Sequence, residues 1–573
     1  MTMRLVGLAA LPIGLLASTS RPAAVVSAMA TDGRGVGVVV WAAERSESRL
    51  QIARFGAGPS AMRMAVGKPS VGLTTTDSIL AVAVDVDEQG RMVIGWQART
   101  ATRSIVLWGE GLASDGSVEW GPTEVAPDVA VAPPAVVADG LGGGYFAFGV
   151  DADRSVANDA VEIRRVAAEG KIVWALALAA ERAQFRNPQL VGDEVGGAIV
   201  VFEARVLDGA GEGDRHLLAQ RISPDGQSLW GDGETFVPFA ATNYDEYGAA
   251  LVPDGGGVIA AFESVITAGP YAGNANIAAQ RLTADGRQAW GSGGIPAWVS
   301  ATTAQERRPA VASDGHGGAV IAFEGSLGDE AASDIWAQRM SADGAALWGT
   351  QGLPVALTST PQSEMHPRVA LTMDGAIAVG YDALGVSPAP TVCLNLVSVD
   401  GRYAWPRQQA LPADGEGLSL MHLWGGTNAT VHVVTNSPTL RAPVAIEHWA
   451  VNADGAVLDE PVDVTAVAAQ SVQPEVSVLP ASPNPFNAVT TFTFWSVASR
   501  WTEIQIVNPL GQTVRHISHA AVATGWQRVT WDGRDDAGSP AASGVYIYSI
   551  RNVAAPAHGP AAGTLSGRVT LAR

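Results

Sequence analysis

Apolar residues in this chain fall in short runs of four to six, each opened by Asp-Gly or Gly-Gly and closed by a polar stretch. The clearest copies read PQLVGDEVGGAIVVFEA from Pro188, LVPDGGGVIAAFES from Leu251 and PAVASDGHGGAVIAFEG from Pro309. Weaker ones are AMATDGRGVGVVVWAA from Ala28, VDEQGRMVIGWQA from Val86, VVADGLGGGYFAFG from Val136 and VALTMDGAIAVGYDA from Val369. Asp-Gly and Gly-Gly supply the positive-φ residues of a tight turn. A run that is apolar at consecutive positions and bounded by turn signals predicts a strand covered on both faces.

A second phrase alternates with the first. It reads AQRISPDGQSLW (Ala219 to Trp230), AQRLTADGRQAW (Ala279 to Trp290) and AQRMSADGAALW (Ala337 to Trp348), with looser copies at LASDGSVEW, VAAEGKIVW, VSVDGRYAW and VNADGAVLD. The tryptophans at 120, 174, 230, 290, 348 and 405 are spaced by 54, 56, 60, 58 and 57 residues. So regular a period marks one supersecondary unit used many times. Each unit predicts about four short strands joined by hairpins, with no helical period. A single sheet of this kind cannot bury both apolar faces, and stacking such sheets radially covers them, so the expected fold class is an all-β protein with a β-propeller of seven or eight blades. A solenoid of β-coils is the alternative, but its repeats run shorter. The apolar strands fall near residues 36, 92, 144, 198, 258, 319 and 376, and a degenerate eighth unit is expected over Thr430 to Asp459.

Length and composition fit this picture. The chain has 573 residues, 47% hydrophobic, with 65 Gly and 33 Pro, which suits a turn-rich protein of more than one domain. A formal net charge of −20 argues against nucleic acid and anionic membrane surfaces as partners. The N-terminus, MTMRLVGLAALPIGLLASTSRP, places one Arg before an apolar run from Leu5 to Ala17, the form of a secretory signal peptide. No run is long enough for a membrane-spanning helix. Cys393 is the only cysteine, so no intramolecular disulfide forms, and its apolar neighbours predict a small core residue.

After the eighth unit the pattern changes. TTFTFWSV, TEIQIVN, QTVRHIS, WQRVTWDG, GVYIYSI and GRVTLAR alternate as the strands of a small Ig-like β-sandwich. SPNPFN (Ser482 to Asn487), VNPLGQTVR (Val507 to Arg515), WDGRDDAGSPAASGVYIYSI (Trp531 to Ile550) and the final GRVTLAR carry a resemblance to a known family. The segment resembles the Ig-like domain at the C-terminus of many exported bacterial proteins, of the flagellar hook-capping and type IX secretion sorting types. Asn508-Pro509 and the insert Ala554 to Gly563 depart from that pattern. The resemblance implies export or surface retention, with the secretion machinery as a partner. The repeat region is similar, in pattern only, to the tandem propellers of surface proteins that carry such domains. The expected organisation is a signal peptide at 1–20, a propeller at 21–465, a linker at 466–480 and the Ig-like domain at 481–573.

Candidate chemistry is sparse. Ser223, Asp225, Gly226 and Trp230 are similar to the Asp-box of sialidases, with the Gly displaced, and an Asp-box is itself a turn staple in which Asp binds turn amides and Trp packs between blades. VAAEGKIVW (Val166 to Trp174) is similar to the Trp-docking phrase of quinoprotein propellers, but only one repeat fits. The acidic groups Asp208 to Asp214 and Asp532, Asp535 and Asp536 could hold calcium, yet neither has EF-hand spacing and solvated turns account for them. His516 and His519 lack the partners of a zinc site. The pairs Gln220/Arg221, Gln280/Arg281 and Gln338/Arg339 alternate across a strand, one facing a neighbouring blade and the other solvent. The sequence thus leads to a secreted or cell-surface binding or scaffold protein, without catalytic residues or cofactor. Its glycan or protein ligand is expected at the rim formed by the loops Arg205 to His216, Val265 to Asn276 and Gly325 to Ser333. The alternative is a propeller enzyme acting on extracellular glycans. Two observations separate them: convergent carboxylates with raised pKa values in the central channel on one face, or a channel lined by small or apolar residues.

Overall fold

The computed structural model describes residues 26–572 except for a number of connecting stretches, the longest being 67–77, 464–477 and 554–563. The signal-peptide segment and most of the expected linker lie outside the described residues. Every regular element among those described is a β-strand. The chain divides into two compact units, Met1–Ala469 and Gln470–Arg573.

The first unit is eight four-stranded antiparallel sheets, each ordered along the chain, from Val26–Thr31 in sheet 1 to Val462–Asp463 in sheet 8. The apolar runs form the second strand of each sheet. In sheet 5 this strand, Gly257–Val265, is buried along almost its whole length. Its side chains alternate: Val258, Ala260 and Phe262 pack against Ile199 and Val201 of sheet 4. Ile259 and Ala261 pack against Ile321 and Phe323 of sheet 6. A strand with two buried faces cannot alternate apolar with polar, which is why the sequence reads as an unbroken run. Sheet 1 meets sheet 2 through Val38, Val40, Val82 and Ile94. On its other face Val39, Trp41 and Phe55 pack against Trp424 and Val434 of sheet 8.

The Asp-Gly turns gather at one rim and staple each sheet to the next. In the first turn of sheet 4, Asp193 Oδ1 accepts the amides of Val195 and Gly197 (3.1 and 2.6 Å), and Oδ2 accepts Arg221 Nε at 3.0 Å. Arg221 then donates to Ala284 O of sheet 5 at 2.7 Å, and Trp230 Nε1 donates to the same carbonyl at 2.9 Å. Arg281 and Trp290 share Ala342 O, and Arg339 and Trp348 share Val399 O, in the same way. Gly286 has φ +79°, and a Cβ there would stand 2.8 Å from the Trp230 ring, so glycine serves both the turn and the tryptophan.

Three local expectations change. Neither member of a Gln-Arg pair simply faces solvent: Gln220 is buried and accepts the Trp230 and Arg221 amides, while Arg221 bridges to the next sheet. In the Asp-box-like turn the amide of Gln227 bonds to Ser223 Oγ, and Asp225 accepts the Ser223 hydroxyl instead of turn amides. Arg205 to His216 is not a loop, because the strands Ala198–Asp208 and Gly211–Ile222 run on as a long hairpin to the pair Asp208–Gly211. Cys393 is buried as expected, and burial pushes its thiol up to about 11.

The second unit is a sandwich of a three-stranded and a four-stranded sheet. Phe486, Phe492, Ile504, Trp531, Tyr546 and Leu571 meet in its core. The SPNPFN phrase has a structural account: Asn484 donates to Arg568 O and accepts the Thr570 amide, while Phe486 closes the core beside the last strand.

Candidate functional site

The first strands of successive sheets lie side by side and form an inner wall. In sheets 4 to 7 these strands are Ala183–Gly192, Asp245–Asp254, Gln305–Ser313 and Ser363–Leu371. All four break register at the same place, between Arg186 and Gln189, Tyr247 and Ala250, Arg307 and Ala310, and Met365 and Arg368. The bulge residue is left-handed each time: Asn187 (φ 52°), Gly248 (63°), Arg308 (52°) and His366 (56°). Pro188, Pro309 and Pro367 follow in three of the four, where a residue without an amide hydrogen suits an unpaired position. Glycine would hold this conformation freely, as Gly248 does. Asn, Arg and His hold it at about 1 kcal/mol or more each.

One carboxylate per sheet ties these bulges together. Glu203, Glu263, Glu324 and Asp382 lie on the second strands of sheets 4 to 7, directly after the buried aromatics Phe202, Phe262, Phe323 and Tyr381. Each reaches across to a main-chain amide at or near the next sheet's bulge: Gly248 N for Glu203 (3.3 Å), Arg308 N for Glu263 (2.9 Å), His366 N for Glu324 (2.6 Å) and Leu420 N for Asp382 (2.7 Å). Three of them also meet the side chain of their own sheet's bulge residue. Asn187 Nδ2 donates to Glu203 (3.1 Å), Arg308 Nη1 to Glu324 (2.8 Å), and His366 Nδ1 lies 3.1 Å from Asp382 Oδ2. Sheet 5 has glycine at the bulge, so among the described residues Glu263 accepts a single hydrogen bond. Burial raises its pKa, against the pull of the Arg308 amide and the charges of Arg307 and Arg308.

Around this belt stand further ionisable groups. Tyr247 pairs across the strands with Glu263, and burial and that carboxylate raise its pKa. Arg307, Arg308, His366 and Arg368 are exposed on the inner wall. Next along, His422 Nε2 meets Ser27 Oγ at 3.1 Å, and burial together with the Arg368 charge pulls its pKa down to about 3. A second carboxylate row, Glu246 and Glu306, is buried between sheets. Thr242 and His216 hold the first, and Ser300 and Thr302, both at 2.7 Å, hold the second. Immediately past the bulges the strands turn small and apolar, with Ala250, Ala310, Val311 and Ala312.

The belt sits at the rim opposite the Asp-Gly staples, where the second strands end and the first strands begin. This is the rim on which the hairpin 205–216 and the turn after Val265 lie; the tip of Gly325 to Ser333 is outside the described residues. The residues singled out from sequence lie elsewhere. Ser223, Asp225 and Trp230 are on the staple rim, as is Trp174, whose Nε1 donates to Pro224 O at 3.0 Å. Asp532 and Asp535 accept turn amides in the Ig-like unit. No group of three or more potential metal ligands occurs among the described residues. The signal that was passed over is the acidic residue closing FE, FE, FE and YD in four apolar strands.

Residues 488–555 match the FlgD Ig-like domain family. No curated protein matches the chain. Among solved structures it is similar to an ulvan lyase of a polysaccharide lyase family, at 11% identity and TM-score 0.41, over 67% of this chain and 94% of that one. It is also similar to an α-L-arabinanase of Penicillium chrysogenum, at 13% identity and TM-score 0.32, over 57% and 94%. A third is an α-L-arabinofuranosidase of Lactobacillus brevis, at 14% identity and TM-score 0.26, over 47% and 92%. The non-catalytic scaffold expected from the sequence is corrected at this point. The wall carries buried carboxylates with pKa values raised by burial, Glu263 in the belt and Glu306 in the second row, where a scaffold was expected to be small and apolar.

Proposed function

We propose that the eight sheets close into an eight-bladed propeller whose inner-strand belt is the active site of an enzyme cleaving glycosidic bonds in an extracellular glycan. The observation that carries this reading is the belt itself: in four consecutive repeats a second-strand carboxylate meets a main-chain amide at or near the next bulge, and two of the bulges put an ionisable side chain, Arg308 or His366, in a left-handed position. The packing of sheet 1 against both sheet 2 and sheet 8 supports the closed ring.

In this reading Glu263, whose pKa burial raises, gives a proton to the leaving oxygen. His366 takes a proton at Nε2 from the water that adds to the sugar carbon as the glycosidic bond breaks, because Asp382 occupies its Nδ1 side and orients the ring. Arg307 and Arg308 hold the substrate against these groups. The Ig-like unit serves as a sorting or anchoring module of the type IX secretion kind, which makes the secretion machinery its partner and the cell surface or medium its location.

Reducing-end release from a panel of neutral and acidic polysaccharides tests the reading. Glu263→Gln and His366→Ala should each lose at least 100-fold in kcat/KM with the thermal midpoint within a few degrees of the unaltered protein. Absence of turnover across the panel, or full activity in both variants, overturns it.

A further inference from the structure

The two rims use arginine differently. On the staple rim Arg165, Arg221, Arg281 and Arg339 each pair with an aspartate and also donate to a carbonyl of the next sheet. Their charge and their donors are consumed by the fold. On the inner wall Arg307 has only a 3.4 Å contact to Gln305, and Arg368 donates only to Pro367 O at 3.1 Å. Neither makes an ion pair among the described residues. Desolvation of the Arg368 guanidinium lowers its pKa, and the charges of Asp382 and Glu324 oppose that shift. Arg308, also exposed, spends one side of its fork on Glu324.

An uncommitted guanidinium in a confined polar wall is a binding site awaiting an anion, since its planar fork matches carboxylate and sulfate oxygens. The placement is costly for the fold. Arg308 and His366 occupy left-handed positions that Gly248 shows a glycine can fill, so their side chains and not the turn account for their presence. The chain as a whole carries −20. Against that field, Arg307, Arg308 and Arg368 are exposed cationic side chains standing beside the belt carboxylates.

We propose that the inner-wall site takes an acidic polysaccharide, with Arg307 and Arg368 engaging its carboxylate or sulfate groups. This rests on the glycan-enzyme reading and names its substrate class. Arg307 and Arg368 select the polymer by charge.

Affinity electrophoresis of the full chain tests the inference, using polygalacturonate, dextran sulfate, arabinan and unmodified dextran at low and moderate salt. Retardation by polygalacturonate or dextran sulfate, falling with salt and absent with both neutral polymers, is expected, and the polymer that acts distinguishes carboxylate from sulfate recognition. Arg307→Ala and Arg368→Ala should each weaken it at least tenfold. Arg287→Ala, a solvated charge on the other rim, should leave it unchanged. Arg368→Lys guards against loss of folding and should keep part of the binding. Preference for arabinan or dextran, or unchanged affinity in both Arg→Ala variants, overturns the inference. Cleavage of a neutral polymer would sink this inference and leave the enzyme reading standing. Binding of acidic polymers without cleavage would do the reverse.

Discussion

Replacing Asp314 by alanine isolates the staple between sheets. Asp314 is 9% exposed and holds four donors: the His316 and Gly318 amides, both at 2.9 Å on Oδ1, and Arg339 Nε and Nη2 at 3.3 and 2.9 Å on Oδ2. Burial opposes its ionisation, yet the amide and guanidinium bonds outweigh burial and hold its pKa below the usual aspartate value. Asp314→Ala leaves the buried Gly318 amide without its acceptor and takes the carboxylate from Arg339. Breaking such a pair from one side costs about 3–5 kcal/mol. The value should fall at the low end, about 3 kcal/mol, because Arg339 keeps Val399 O and reaches water. Asp314→Asn retains an oxygen for the amides and loses only the charge, so about 1–2 kcal/mol is expected. Asp343→Ala, on an exposed turn where the carboxylate bonds only locally to Ser341, should change little. Urea unfolding followed by tryptophan fluorescence measures all three. The folded-state pKa is lowered, so the stabilisation is present above the unfolded value near 3.8 and is lost as pH falls through the folded one. A difference under 0.5 kcal/mol between Asp314→Ala and the unaltered protein, or Asp314→Asn proving worse than Asp314→Ala, would refute the staple argument.

Trp290→Phe keeps most of the buried ring but loses the bond to Ala342 O, so a loss of about 1 kcal/mol is expected, against about 3–5 for Trp290→Ala in the same urea experiment. His422 is held neutral in the fold, with its pKa pulled from 6.5 to about 3, so the unfolded chain binds the proton first. Stability should be full above pH 6.5 and fall as pH drops toward 3, by at most about 1.4 kcal/mol per unit for this group. Thermal midpoints between pH 7 and 4 should therefore decline less steeply in His422→Gln, and an unchanged slope would count against the seam between sheets 8 and 1 as an acid-labile point. Burial raises Glu263 above an ordinary carboxylate, so the high-pH limb of any glycan-cleaving activity should move in Glu263→Asp, read from a kcat/KM profile.

Local chemistry set the repeating sheet. Asp-Gly turns, unbroken apolar runs and the Trp spacing each follow from neighbours within one repeat, so the eight sheets and the Ig-like sandwich could be read along the chain. Second strands were expected near 198, 258 and 319, and they begin at Ala198, Gly257 and Ala319. Arg205 to His216 misled because its Gly and Asp residues look like a loop, while pairing between the two arms is a non-local gain. The candidate site was hidden for a related reason. Glu263 bonds to Arg308, 45 residues away in the next sheet, and nothing in either local phrase announces that meeting. A carboxylate closing an apolar strand reads as a strand end until the neighbouring sheet brings a strained amide to it. The unit and its turns are legible in contiguous residues, because hairpin geometry and two-faced burial are local. Which charges are spent on holding sheets together and which are left on the inner wall depends on what an adjacent sheet places within hydrogen-bond reach, and that emerges from the packed fold.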